Sequence, residues 1–267
     1  MAAPGWAKWE NTIAQGFSQA TGQLLDMAAI EPGMQVLDIA CGAGSQSIEA
    51  ARRVGPQGRV LASDISSKML EHVRQNARDA GVDNIETHPD AAEDLDASLG
   101  PFDAAICRMG LMLFPAPHRA LNILGKLLNP GARFAALVFT SPVNSPFLSR
   151  PMAILLRHAG KAPPEPGSPG LFALGGNGVL ETLMEDCGFE GIETRTVHAD
   201  VSLPSADDAM HLLQEAAGAY RAVVADLDDT AKSRAWEEVR DCLTQFDTGD
   251  RVEARLEAMI CSGKTPS

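Results

Sequence analysis

Between Met34 and Phe139 short β-branched runs alternate with amphipathic segments, and that rhythm leaves few architectures open. Gln35 to Ala40, Arg59 to Ser63, Asn84 to His88, Phe102 to Arg108 and Ala132 to Thr140 read as strands. Ser45 to Val54, Ser67 to Ala80 and Pro117 to Leu128 read as helices, with a short or irregular one after Asp90. Strands that return to one sheet through a helix pair parallel, and helices then cover both faces. The expectation is an α/β fold built on a mostly parallel sheet. Boundary chemistry agrees: Ser66 is placed to cap a helix whose inward stripe is Met69, Leu70, Val73 and Ala77, and Gly81 stands where a left-handed end is wanted.

After Thr140 the rhythm stops. Proline-rich stretches around a short helix at about Pro151 to Ala159 read as an insertion, and a helix resumes at Val179 to Cys187. Ile192 to Leu203 reads as a long strand whose apolar phase shifts between Thr196 and Val197, which predicts a bulge there. Two or three helices fill Ala206 to Phe246. The alternation from Val252 to Ile260 predicts a last, half-buried strand pairing antiparallel with the one at Ile192 to Leu203. That makes seven strands. Ahead of them Trp6, Trp9, Ile13 and Phe17 form an aromatic stripe on one helix, either packed on the sheet edge or serving as a lid over a ligand. The expected organisation is an N-terminal helical lid segment at 1–29, then one domain at 30–267 with insertions at about 141–176 and 204–248.

Composition narrows the function classes. A net charge of −13 opposes a phosphate backbone, so no nucleic-acid partner is expected. No apolar run is long enough for a membrane span, and the tryptophans and charges of the first residues do not suit a signal peptide, so a cytoplasmic setting is expected. Five scattered cysteines without a C-x-x-C pair, and six histidines without ligand spacing, predict neither disulfides nor a metal.

The stretch VLDIACGAGS, Val36 to Ser45, places an acid in an apolar strand just before a glycine turn and a helix start. In open α/β sheets ligands bind at such strand ends. A dinucleotide would need G-x-G-x-x-G, but Ser47 holds the third position, and Asp38 would repel a pyrophosphate. A ligand presenting a positive group suits the turn better.

Asp38-Ile39-Ala40-Cys41-Gly42-Ala43-Gly44 resembles the first motif of class I S-adenosylmethionine-dependent methyltransferases, with Ala40 in place of the first glycine, as in the subgroup resembling ubiquinone and menaquinone biosynthesis methyltransferases. The resemblance covers about Ile30 to Thr140 and implies a Rossmann-like sheet. It implies S-adenosylmethionine as cofactor and S-adenosylhomocysteine as product. Asp38, Ala40, Cys41, Gly42 and Gly44 would form its turn. Asp64 would take the ribose hydroxyls, Ile65 and Met69 would sandwich the adenine, and Asp90, Ala91 and Ala92 would meet its amino group. The backbone of Arg108 would meet the methionine end.

Methyl transfer is mainly a matter of positioning, and a general base is needed only if the acceptor must lose a proton. His118 is the one base candidate near an acceptor. Met109, Met112 and Phe114, together with Trp6, make the expected acceptor pocket apolar, so a small, largely apolar metabolite methylated on carbon or oxygen is expected. A cofactor-assisted cyclase or lyase, or a regulatory or scaffold protein that binds without transfer, is the alternative. A homodimer is left open.

Overall fold

A computed structural model of the chain describes residues 3–165 and 167–267, with the side chains of residues 3, 4, 6 and 7 outside the described set. Strands β1 (Gln35–Ile39), β2 (Arg59–Ser63), β3 (Ile85–His88), β4 (Phe102–Arg108), β5 (Leu128–Phe139), β6 (Glu190–Leu203) and β7 (Val252–Lys264) form one sheet in the order β3-β2-β1-β4-β5-β7-β6. The first five strands pair parallel, and β7 runs antiparallel to both β5 and β6. The winding reverses between β1 and β4, which opens a crevice at the carboxyl ends of those two strands.

Helices α1 (Ala3–Met27), α2 (Ser45–Val54), α3 (Ser67–Asp79), α4 (Pro117–Leu127), α5 (Pro146–His158), α6 (Val179–Asp186), α7 (Ala206–Ala216), α8 (Gly218–Val223) and α9 (Asp229–Leu243) surround the sheet. Ser66 caps α3 as its sequence suggests, accepting from the Met69 amide. Val36 to Ile39 and Ala104 to Arg108 are buried throughout, as central strands covered on both faces must be. The segment after Asp90 is irregular, with single 3₁₀ turns at Ala92–Asp94 and Ala97–Leu99.

The structure corrects several expectations. No register shift occurs between Thr196 and Val197; the irregularity lies between Glu190 and Glu193. With regular pleating Ile192 and Val197 face opposite sides. Ile192 packs on the side of Met184 and Phe189, while Val197, Ala199 and Leu203 are buried on the other, so the phase shift records a change of covering layer. Helix α5 starts at Pro146 rather than Pro151, because Pro146 at its first turn needs no N–H partner, and the buried Pro151 is carried inside the helix. Strand β5 begins at Leu128, which pairs with Phe102 before the ladder skips to Arg133 and Ala104.

Both insertions leave the edge where the parallel strands end, and their helices pack as one layer: α5 on α9, α9 on α7, and α7 on α1. The Tyr220 hydroxyl of α8 donates to the Leu148 carbonyl of α5 at 2.9 Å and ties the layer together. Beyond the end of β5, Glu253 to Leu256 continue the ladder with β6 and form a two-stranded arm, against which α1 lies.

That contact is close at Gly16, where a Cβ would sit 2.2 Å from the Asp200 carbonyl oxygen, whereas a Cβ on Gly22 would meet nothing within 4 Å. Gly16→Ala is therefore expected to lower stability by about 1–3 kcal/mol. Gly22→Ala in the same helix should raise it by up to about 1 kcal/mol, both read from urea unfolding midpoints.

Candidate functional site

At the crevice two neighbouring strands end in left-handed residues that are not glycine: Ala40 after β1 has φ 54 and Met109 after β4 has φ 60. Both carry backbone strain of a kind that concentrates at functional sites. The residue after Met109 is packed tightly against Ala40, since a Cβ on Gly110 would stand 2.5 Å from the Ala40 Cβ and 3.0 Å from the Cys107 Sγ. Gly44, at φ 92, leads into α2 and leaves room for Val73, whose methyls would lie 3.0 Å from a Cβ there.

Asp38 lies beneath this turn and does not open into the crevice. It is wholly buried, with Ser47 Oγ donating to Oδ2 at 2.5 Å and Gln46 Nε2 reaching Oδ1 at 3.4 Å. Gln46 also donates to the Cys41 carbonyl at 2.9 Å, so the acid and the first turn of α2 together brace the glycine loop. Burial pushes the Asp38 carboxyl up to about 7, against the lowering effect of Ser47, Gln46 and the Arg108 charge.

Asp64 faces the same loop from the end of β2. Its Oδ2 accepts from the Gly42 amide at 3.0 Å and its Oδ1 from the Ser66 amide at 2.9 Å, and burial raises its pKa against those two bonds. Ile65 beside it is 78% exposed, while Met69 is buried against Ala43, so of this pair only Ile65 stands open. Asp90 is half-buried and its Oδ2 lies 2.7 Å from His88 Nε2, while its carbonyl accepts from Ser63 Oγ at 3.3 Å. Ala91 is half-buried and Ala92 is buried in the 3₁₀ turn that follows.

Arg108 contributes a side chain as well as a backbone. Its buried guanidinium donates from one terminal nitrogen to Thr21 Oγ1 at 2.9 Å and from the other to Ser45 Oγ at 2.7 Å. The Ser45 amide in turn donates to Glu10 Oε1 at 3.2 Å. Glu10 and Thr21 both lie on α1, one turn periodicity away from signals the sequence offered only as an aromatic stripe.

The mouth of the crevice is apolar. Met109 and Phe114 are half-buried, Leu113 is exposed, and Leu111 and Met112 face the core. The insertion loop is anchored here by the Gly170 amide, which donates to the Met112 carbonyl at 3.0 Å. Phe17 of α1, Phe139 at the end of β5 and Phe172 of the loop form a chain of rings with centroids 6.1 and 6.3 Å apart, and the Arg108 guanidinium sits 5.9 Å from the Phe17 ring centre. The side chain of Trp6 lies outside the described residues. His118 is exposed on the first turn of α4 with its carbonyl accepting from Cys187 Sγ at 3.6 Å, and no described contact joins its ring to the strand-tip residues. Cys41 and Cys107 are buried with their thiols pushed up, Cys107 to about 12, so neither is a thiolate near neutrality. Among the described residues no group of three or more His, Cys, Asp or Glu could hold a metal ion, and no helix is long and apolar enough to cross a membrane.

Residues 30–148 match the family model of a methyltransferase domain. The ubiquinone/menaquinone biosynthesis C-methyltransferase of Idiomarina loihiensis is 34% identical over 122 residues, covering 45% of this chain and 49% of that protein. The nocamycin O-methyltransferase of Saccharothrix syringae is 27% identical over 217 residues, 74% of each chain. The chain spans about half the length of the first of these curated relatives. Among solved structures, a phosphoethanolamine N-methyltransferase of Haemonchus contortus in complex with S-adenosyl-L-methionine superposes with a TM-score of 0.58 at 14% identity, over 96% of this chain and 56% of that one. At that identity the likeness concerns the fold.

Because Asp38 binds its proton more tightly in the folded chain than in the unfolded one, its contribution to stability falls as pH rises from 3.8 to about 7 and levels off above. Asp38→Asn keeps the shape without the titration. It should flatten that fall, removing a slope of up to about 1.4 kcal/mol per pH unit in urea unfolding measured across the window.

Proposed function

We propose that this chain, a member of the class I S-adenosylmethionine-dependent methyltransferases, moves the cofactor's methyl group to carbon or oxygen of a small, largely apolar metabolite. One observation carries the reading: the strained glycine turn, the half-open Asp64 carboxylate and the buried Arg108 cation converge on one crevice whose remaining rim is apolar. A nucleoside without phosphate, bearing an amino-acid end, matches that set of donors.

The fit can be followed group by group. Asp64, already held by two amides, would accept the ribose hydroxyls by charge-assisted bonds. Ile65, with Ala91 and Ala92, would flank the adenine, and Asp90 would accept from its amino group. Ala40, Cys41, Gly42, Gly44 and Arg108 would lie along the methionine end, with Asp38 bracing the turn from behind. The bound cofactor supplies a methyl carbon activated by its sulfonium.

The remaining work falls to the chain's apolar walls, which align the acceptor and keep out water. Phe17, Phe139, Phe172, Met109 and Phe114 suit that task, while Met112 stays in the core behind them. Three of the four large apolar side chains exposed among the described residues, Ile65, Leu113 and Val143, lie on loops leaving this same edge. An apolar entrance favours an apolar acceptor. In this reading α1 and the helical layer form the lid. No general base is assigned, and His118 stays outside the cluster. The names of the two relatives, one a C- and one an O-methyltransferase, leave both acceptor atoms in play.

Incubation of the purified chain with methyl-labelled S-adenosylmethionine and a panel of quinols, phenols and enolisable ketones tests the reading. Label should pass to an apolar acceptor as S-adenosylhomocysteine accumulates, whereas tight binding with no turnover across cell extracts would favour a binding or cofactor-assisted role. Asp64→Ala should weaken calorimetric binding of S-adenosylhomocysteine by about 10- to 100-fold, the loss expected when hydrogen bonds to a charged group are removed. Unchanged binding would remove Asp64 from the site.

A further inference from the structure

Arg108 and Glu10 stand on either side of Ser45, and each is incompletely answered. Arg108 is only 6% exposed, and its two hydrogen-bond partners, Thr21 and Ser45, are neutral hydroxyls. Its Nε–H is buried without any partner among the described residues. A guanidinium carries five N–H donors and a full charge, so such a site is costly unless an anion joins it. Glu10 is 7% exposed, and its described hydrogen bond engages one oxygen, with the Ser45 amide. It is near enough to favour the charged form of Arg108, yet among the described residues the two form no ion pair. Ser45 separates them, donating its amide to Glu10 and accepting at its hydroxyl from Arg108.

An acid and a cation held apart across one residue, at the tip of the strand crevice, complement a group that carries a cation and an anion on one carbon. We propose that Glu10 binds the α-ammonium of the cofactor's amino-acid end and Arg108 its carboxylate, so that the N-terminal helix supplies part of the cofactor site. This rests on the cofactor reading above. It gives α1 a second duty besides covering the acceptor, because the ammonium ties the helix to the strand tips once the cofactor is in place. The competing account, in which Glu10 only terminates α2 and offsets the Arg108 charge, predicts no dependence on the ligand's ammonium.

Calorimetry on the full chain distinguishes them with three ligands: S-adenosylhomocysteine, its deaminated analogue with hydrogen in place of the ammonium, and 5′-methylthioadenosine, which lacks the amino-acid end. The unaltered protein should bind the deaminated analogue about 10- to 100-fold more weakly than S-adenosylhomocysteine, a comparison that needs no variant. Glu10→Gln should weaken S-adenosylhomocysteine by a similar factor and leave 5′-methylthioadenosine unchanged. If the unaltered protein takes the deaminated analogue as tightly as the parent, or if Glu10→Gln affects all three ligands alike, the assignment of Glu10 is overturned. Binding of neither S-adenosylhomocysteine nor 5′-methylthioadenosine would overturn the cofactor reading itself, and this assignment with it.

Discussion

A carboxylate buried in the middle of a sheet is tolerated only where donors surround it, and the Asp38 side chain meets that condition through Ser47 and Gln46. Those two residues open α2, so the bonds fix the helix start relative to the tip of β1. Gln46 passes the constraint on to the Cys41 carbonyl, and the glycine loop is thereby held in its left-handed conformation. From the other side Asp64 receives the Gly42 amide. The turn is gripped above and below by two acids from adjacent strands, one buried and one half-open.

The crevice is completed by elements remote in sequence. The order β3-β2-β1-β4-β5-β7-β6 puts the tips of β1 and β4 side by side, and Arg108 at the end of β4 reaches across to Ser45 at the start of α2. Helix α1 closes the set through Thr21 and Glu10. Beside Glu10 it is held in turn by Glu215 of α7, which accepts from Trp9 Nε1 and Lys8 Nζ, both at 2.7 Å. The helix is thus fastened both to the sheet and to the helical layer. In the proposed reading, cofactor and acceptor compartments share this one wall, with Phe17 stacked beside the Arg108 cation.

The helical layer follows from where the two insertions leave the sheet. Both depart at the edge where the parallel strands end, and their helices cover each other there, with α5 also touching β7 and α7 touching β6. The β6–β7 arm extends past β5 to support them, and Phe139 and Phe172 meet Phe17 in the angle between arm, loop and helix. An apolar rim beside the polar strand tips results from that geometry.

Local order could be read from the chain. Arg59–Ser63, Phe102–Arg108 and Ser45–Val54 are bounded in the structure where their periodicity and flanking residues end, because strand and helix pattern, capping and turn chemistry depend on neighbours a few residues away. The acid before the glycine turn was equally visible. Its orientation was not: whether Asp38 faces the crevice or the helix behind it depends on Gln46 and Ser47 turning inward. Nor could the sequence show that Ile192 and Val197 are covered from opposite sides, since a change of covering layer and a bulge leave the same phase shift. Glu10, Thr21, Phe139 and Phe172 carried no local mark, because each acquires its neighbours only when segments distant in sequence are packed together. Sequence alone determined the sheet and the glycine turn; tertiary packing decided which charges are buried, since burial depends on which distant surfaces cover a given face.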